Sequence, residues 1–550
     1  MLHVASVIGR EFQLDVLQRV HAQPDKELED ALEEAVDAGL VEERSATATM
    51  IAYKFTHAFF QQTLHDEILA PRRMRLHQQV ARALEQVYAR RLDEHAAELA
   101  EHYSFSTDAS DLSKAVSYGE LAANRATEIF AYGEAARQLE RALAIQDLVN
   151  PDDRGKRCDL LLALGESLIP TGENERVIAH VAPDAMALAE VLDDRRRAFR
   201  SCRVALDALV AEGAGFNGAR PDYLTWAERA IQYAEPDSIE RAHANLAMAL
   251  ARHSLGQFAQ ARALRLEALE LARQHGDTGT LFGAAGHLLA AGAPQHWDER
   301  VRLAEEASGW PRLGASSQFL GVALFYCGMV WLAQGERPRA EGARRELQEL
   351  ADRTRAATAG LFMAAIDSTL AIVDGRLEEA VERITRYVER GDESGAPVRA
   401  RQFGVMMLIA PAQYLGRPDL WLTAADEYGS PATLARPGRP ASFFIQLTAM
   451  RAMCFAQLGR LDEARALVGP LLDEVDGNPD NEVPMRVLIF LLETAVVLEH
   501  RVAAEALAAR LGCVSQMTGE ISPVQSVARR LGDAAVLRGD RVAAGAGGGR

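Results

Sequence analysis

The sequence predicts an all-α fold: a superhelix of stacked helix pairs, with one small mixed module ahead of it. Three observations predict it. Of 550 residues, 48% are apolar but only 6% aromatic, so the core must be built from Ala, Leu and Val, the material of stacked helices rather than of a β-sandwich. The length exceeds what one hydrophobic core usually serves, which calls for several domains or a repeat array. The third observation is a corner motif that returns about every forty residues.

Four strong copies define the motif: LGQFAQA (Leu255 to Ala261), QGERPRA (Gln334 to Ala340), DGRLEEA (Asp374 to Ala380) and LGRLDEA (Leu458 to Ala464). In each, an apolar stretch ends at a Gly, and an Ala follows five residues later. Weaker copies at Tyr132, Thr171, His296, Gly416, Glu499 and Arg538, together with Gly215, extend the series. The corner residues are then Gly133, Gly172, Gly215, Gly256, Trp297, Gly335, Gly375, Gly416, Gly459, His500 and Gly539, spaced 38 to 43 apart. Gly supplies the left-handed C-cap that ends the first helix of a pair, and the Ala sits where two helices approach too closely for a larger side chain. Between corners the pattern is helical: Leu461, Ala464, Leu467, Val468 and Leu471 share one face. One helix pair cannot bury that face, so neighbours must stack into a curved solenoid of about ten pairs. These residues resemble tetratricopeptide repeats, in the longer-period form found in bacterial signalling proteins, although the Trp/Leu/Gly/Tyr consensus is only partly present.

Residues 1–70 read differently. REFQLDVLQRV and DKELEDALEEAVDAGL are amphipathic helices, the second with Leu28, Leu32, Ala35, Val36 and Leu40 on one face. Leu40 to Arg44 and Met50 to Phe55 form a hairpin around a Ser/Ala/Thr turn, and Thr56 is an N-cap for the next helix. Helices followed by a hairpin describe a winged helix. Its second helix would be the one that reads DNA, but between Asp25 and Asp37 it carries seven acids against Lys26 alone. Phosphates would repel it, so the module is expected to face protein. Residues 71–150 are expected to form a helical connector and first repeat, 151–538 the repeat superhelix, and 539–550 a Gly-rich disordered tail.

The run ASVIGREF, AGLVEE, YKFTHAFFQQTLHDEILAPRRMRLHQQVARALE, ELAEHY and YGEAARQLERAL resembles the region that follows the ATPase domain in bacterial STAND-class signalling ATPases, proteins fused to adenylate/guanylate cyclase or LuxR-type DNA-binding domains. The resemblance covers roughly residues 1–150 and continues more loosely through the repeats. It implies an ATPase or cyclase domain as partner, with ATP or ADP bound only where an upstream ATPase domain is supplied. It also implies that His57 can approach that nucleotide as a cofactor-binding residue. The chain departs from the family in having no G-x-x-x-x-G-K-[ST] phosphate loop: its only Gly-Lys, Gly155-Lys156, is followed by Arg157. Neither a cyclase motif nor a basic C-terminal helix-turn-helix is present. Both ends look cut, which suggests a fragment or diverged product of a larger signalling ATPase.

Charge and composition exclude other classes. Net charge is −18, with 78 acids against 60 bases, of which only four are Lys, so nucleic acid is not an expected partner. Five cysteines at 158, 202, 327, 454 and 513 form no CxxC or Cys/His cluster, and read as small core residues of a reducing compartment. The N-terminus has no signal-peptide pattern. Val487 to Leu498, which includes Glu493, is too short to span a membrane. A cytoplasmic protein is expected.

The remaining candidate residues read as structural. His95, Glu98 and His102 lie on one helical face but lack the H-E-x-x-H spacing of a zinc helix. Arg72, Arg73, Arg75, Arg82, Arg90 and Arg91 make a basic, solvated helix facing the acidic one or an absent domain. Asp193-Asp194 and Glu378-Glu379 are surface charge. Met406-Met407, Phe443-Phe444 and the tryptophans at 226, 297, 310, 331 and 421 belong in repeat cores. No catalytic and no metal residue is expected. The function expected is a non-catalytic protein-interaction or effector-sensing region that binds a protein, a peptide or a small effector on the concave repeat surface. Two rivals stay open: a LuxR-type regulator lacking its DNA-binding domain, and an enzyme hidden among the helices. The enzyme would show as a closed pocket of polar residues with displaced pKa values.

Overall fold

The computed structural model describes residues 1–21, 25–47, 50–213, 216–290, 292–354, 357–393, 397–429, 441–476, 482–514 and 526–539. The chain divides into two compact units, Met1–Ala208 and Leu209–Arg550.

The first unit opens with α1 (Leu2–Ile8), β1 (Glu11–Gln13), α2 (Leu14–Val20), α3 (Asp25–Asp37), β2 (Val41–Thr47) and β3 (Met50–Phe55). The three strands form one antiparallel sheet in the order β1-β3-β2, with Phe12 opposite Tyr53 and Val41 opposite Phe55. Two corrections to the sequence reading fall here. Glu11–Gln13, read as the start of a helix, is a strand, because Phe12 is drawn into the core against Phe55. Thr56 is not the cap of the next helix: its hydroxyl donates to the Gly39 carbonyl at 2.8 Å, and His57 occupies the capping position without a side-chain bond. Leu28, Leu32 and Ala35 of α3 are buried as expected, whereas Val36 is exposed. The side chains from Glu27 to Asp37 on the other face of α3 are turned to solvent.

Helices α4 (Ala58–Asp66), α5 (Ala70–Val87), α6 (Ala96–Ser104), α7 (Ala109–Glu128), α8 (Tyr132–Val149), α9 (Arg154–Leu168), α10 (Asn174–Arg176), α11 (Ala182–Val191) and α12 (Arg195–Gly213) follow. The next helices are α13 (Pro221–Tyr233), α14 (Ile239–Ser254), α15 (Phe258–His275), α16 (Thr278–Ala290), α17 (Trp297–Ser308), α18 (Ser317–Ala333), α19 (Arg337–Thr354), α20 (Ala357–Val373), α21 (Leu377–Glu393), α22 (Pro397–Tyr414) and α23 (Pro418–Gly429). The series closes with α24 (Ala441–Gln457), α25 (Leu461–Asp476), α26 (Met485–Val497), α27 (Arg501–Leu511) and α28 (Val527–Arg538). Among the described residues the chain is all-α apart from the small N-terminal sheet, and its helices pair as tetratricopeptide-like repeats.

The corners fall where the period puts them, with informative exceptions. Gly172, Gly256, Gly335, Gly375, Gly416, Gly459 and Gly539 all take the left-handed conformation, with φ between 68° and 86°. Gly133 does not, since it lies inside the first turn of α8, and Phe130 (φ 62°) makes that corner. Glu499 (φ 54°) turns the chain one residue before His500, whose ring instead accepts the Ala503 amide. At Trp297 a short 3-10 turn, Pro294–His296, replaces the left-handed residue. Gly215 lies outside the described residues, as does the expected tail beyond Gly539. A second series, Asp193, Asp237, Gly276 and Gly314, also left-handed, joins one pair to the next. Asp visits this region more readily than most residues. Ala261, Ala340, Ala380 and Ala464 are completely buried, as their close-approach role requires.

In the second unit the first helix of each pair is the more enclosed. From Leu320 to Ala333 nearly every side chain of α18 is buried, and α26 is similar. The second helices are amphipathic: α21 buries Ala380, Ile384, Tyr387 and Val388 and exposes Glu378, Glu382 and Glu389. Trp226, Trp297, Trp331 and Trp421 are buried, and Trp421 donates to the Val405 carbonyl at 2.9 Å. Met406 and Met407 are core residues, while the side chains of Phe443 and Phe444 lie outside the described residues. Four cysteines are buried, but Cys513 is exposed. The carboxylate of Glu493, buried in α26, accepts from Gln457 at 2.7 Å and Gln413 at 3.3 Å and pairs with Arg530 at 2.9 Å.

The array also returns on itself. The Met485 amide donates to the Gly292 carbonyl at 3.1 Å, Arg486 donates to the Ala290 carbonyl at 3.2 Å, and His296 Nε2 lies 2.6 Å from Glu482. Helices α14 and α24 also touch. Residues around 290–296 and 482–486 of this unit thus meet although nearly two hundred positions apart.

Two substitutions test the corner geometry. A side chain in the left-handed region costs about 1–2 kcal/mol, so Gly375→Ala is expected to lower the urea midpoint. Glu499→Gly is expected to raise it.

Candidate functional site

The α15 sequence FAQARALRLEALELARQH sets Arg262, Arg265, Leu269 and Arg273 at three- and four-residue spacing, hence on one face. That face lines a cavity of about 230 Å³, bounded across from it by Glu299, Arg300, Leu303 and Glu306 of α17 and closed by Glu482 and Pro484. The acids on its wall have partners. Arg262 pairs with Glu299, Arg273 with Glu306 at 2.7 Å, and His296 with Glu482.

Arg265 has none. It is 7% exposed, no hydrogen bond or ion pair reaches it among the described residues, and its Nε is fully shielded. Around it the charges are alike in sign. His253 from α14 lines the same cavity, and the fields of Arg265, Arg486 and His287 all act on it. Burial first, then these three neighbours, holds the His253 imidazole well below its ordinary pKa. Burial and then Arg265 push His287 down to about 4. Arg265 itself is pushed down to about 10 by burial and then by Arg486, against which the Tyr326 phenol acts. Gln446, 3% exposed, accepts from Arg486 Nε at 2.8 Å, while its own amide nitrogen is buried without a partner. At neutral pH this is a pair of guanidinium charges with two neutral imidazoles. A guanidinium removed from water without a counter-charge costs several kcal/mol, and its planar fork matches an oxyanion.

The residues singled out in the sequence lie elsewhere. His57 is exposed at the start of α4, with its ring edge-on to Phe60 at 5.7 Å. His95 stacks on Tyr88 at 3.5 Å and bonds Glu98 at 3.1 Å, but His102 turns inward. His102 Nδ1 lies 2.8 Å from His77 Nδ1, so one of the two rings donates and the other accepts. Among the described residues, no three His, Cys, Asp or Glu groups converge to hold a metal ion. On the basic stretch, Arg82 pairs with Asp111 and Arg91 with Glu94, both at 3.6 Å. Asp194 caps α12 through the Arg197 amide at 3.0 Å, and Glu379 pairs with Arg376 and Arg383 at 2.6 Å. All but the buried Asp111 are surface or half-exposed groups.

Sequence reasoning missed the cluster of His253, Arg265, His287 and Arg486, of which the first two line the cavity, because its members come from four helices far apart in the chain. One signal was available. Phe258, Ala261, Arg265, Ala268 and Ala272 form a helical stripe in which an arginine stands at a core position.

No family model and no curated protein matches the chain. Among solved structures, it is similar to a Signal Transduction ATPase with Numerous Domains (STAND) protein with a tetratricopeptide repeat sensor from Pyrococcus horikoshii. Identity is 11%, the TM-score is 0.34, and the match covers 72% of this chain and 64% of that one. The chain thus spans less than two thirds of that protein's length.

The His77–His102 pair generates a pH prediction. Burial, followed by the charge of neighbours, pushes His77 down to about 3, and burial pushes His102 down to about 4. In the unfolded chain both take up protons near the ordinary histidine value of about 6.5. Their contribution is therefore intact above that pH and lost as the pH falls towards 4. Melting temperature measured between pH 7 and 4 is expected to fall steeply. His77→Gln, which keeps a hydrogen-bonding partner for His102 and removes one titrating group, is expected to flatten the fall.

Proposed function

We propose that the chain is a non-catalytic sensing and protein-interaction region, in which the repeat array of the second unit takes a small effector between distant repeats. One observation carries this reading: Met485 and Arg486 bond back to Gly292 and Ala290, so that residues far apart in sequence wall one cavity. A ligand there would tie helices α15 and α17 to the approach to α26, and its presence would alter how tightly the array holds together. That is what a sensor needs.

The first 70 residues are read as a winged-helix-like module. The order α1-β1-α2-α3-β2-β3 with sheet order β1-β3-β2 supports that reading. The exposed carboxylates of α3 favour a protein partner over DNA. In the setting that the sequence resemblance implies, a bacterial STAND-class signalling ATPase of the cyclase- or LuxR-associated type, the partner would be an ATPase or cyclase domain in the cytoplasm. Exposed His57 is then the residue proposed to meet the bound nucleotide. No helix among the described residues is long and apolar enough to cross a membrane.

A second reading, an enzyme acting on an anionic substrate, draws on the same cavity, since a neutral His253 can also accept a proton. The sensing reading is preferred because the cavity gathers cationic and neutral donors whose chemistry is recognition.

Native mass spectrometry of the chain purified from cells tests the proposal. A discrete small-molecule mass on the intact chain is expected, with a rise in melting temperature when the compound is restored. At a hundredfold excess over Kd the stabilisation is about 2.7 kcal/mol. Conversion of that compound on incubation would favour the enzyme, and an empty chain that no cell-extract fraction stabilises would overturn the sensing reading.

A further inference from the structure

We propose that the cavity beneath α15 binds a small molecule bearing an oxyanion, a phosphate or a carboxylate, with the Arg265 guanidinium as its central counter-charge. The inference rests on the sensing reading above and specifies the chemistry of its ligand.

The first argument is electrostatic. Arg265 is buried, unpartnered and directed into a cavity, while every acid on the cavity wall is engaged by another base: Glu299 by Arg262, Glu306 by Arg273 and Glu482 by His296. The groups whose fields reach Arg265 are another arginine and a phenol. A folded chain that leaves a guanidinium in this state is less stable than one with an apolar residue there, so a negative charge supplied from outside completes the interior. The fork geometry of Arg favours a planar or tetrahedral oxyanion over a halide.

The second argument is the shape of the site. Phe258, Leu269, Leu288 and Leu303 supply apolar walls, and His253 supplies a neutral ring nitrogen beside the guanidinium. This combination holds a short carbon skeleton by its sides and a charged group by its end. A dry cavity of 150 Å³ holds a benzene molecule. A volume of about 230 Å³ therefore suits a ligand of roughly ten non-hydrogen atoms.

The test uses the full chain and follows melting temperature and calorimetric binding with inorganic phosphate, glycerol 3-phosphate and succinate. Glycerol and glucose serve as neutral probes, and sodium chloride matches ionic strength. At millimolar concentration at least one of the three anions is expected to raise the melting temperature by several degrees, and chloride is not. Response to the two phosphates alone assigns a phosphoryl ligand, and response to succinate alone assigns a carboxylate. Arg265→Met is expected to melt higher than the unsubstituted chain without ligand and to lose the anion response. Should that variant fail to fold, Arg265→Lys, which keeps the charge but not the fork, is expected to bind at least tenfold more weakly. Arg302→Ala, at the exposed rim, is expected to behave as the unsubstituted chain. Three results would overturn the assignment: no response to any anion, an equal response in the Arg265 variants, or a response to the neutral probes alone. A neutral small molecule found by native mass spectrometry would sink the oxyanion while leaving the sensing reading in place.

Discussion

Helices can stack in register along a chain only if the backbone reverses at a constant phase, and the left-handed corner provides that reversal. One residue with positive φ ends a helix, sends the chain back, and places the buried Ala five positions later against its partner. Where Gly is missing, at Phe130, Asp193, Asp237 and Glu499, the same conformation is imposed on residues with a Cβ. The packing of the pairs therefore outweighs the local steric cost of about 1–2 kcal/mol. Tertiary packing, rather than the preference of any single residue, sets the period.

The cavity follows from that regularity. Because the pairs progress evenly, the start of α26 arrives beside the end of α16 and the start of α17, and a backbone bond joins them. Arg265 is then enclosed by its sequence neighbours α14, α16 and α17 together with the distant stretch from Glu482 to Arg486. Glu482 and Pro484 reach the cavity wall only where the array closes, so a ligand in the cavity would touch both sides of the closure.

Much of the architecture was legible in the sequence and the site was not, for a physical reason. Corners are local: Gly335 or Gly459 announces itself by its own conformational freedom and by an Ala five residues on. The acidic face of α3 and the amphipathic stripe of α25 are local in the same sense. Strand β1 escaped because three residues carry no periodicity, and Thr56 misled because its hydroxyl found a carbonyl across the chain rather than the helix it precedes. The convergence of His253, Arg265, His287 and Arg486 depends on how far the array curls, which no short window of sequence encodes. His102 makes the same point, since it shares a helical face with His95 yet bonds His77 on another helix.

The most direct measurement of the closure is native-state hydrogen exchange at the Met485 amide. Met485 is the first residue of α26, so its N–H has no partner within its own helix, and any protection must come from the Gly292 carbonyl. If the array returns on itself, this amide exchanges as slowly as those inside α16 and α18, through the same opening of the unit. Exchange at the rate of an unstructured peptide, while those helices stay protected, would mean that the ends do not meet and that the cavity beside Arg265 lacks its far wall.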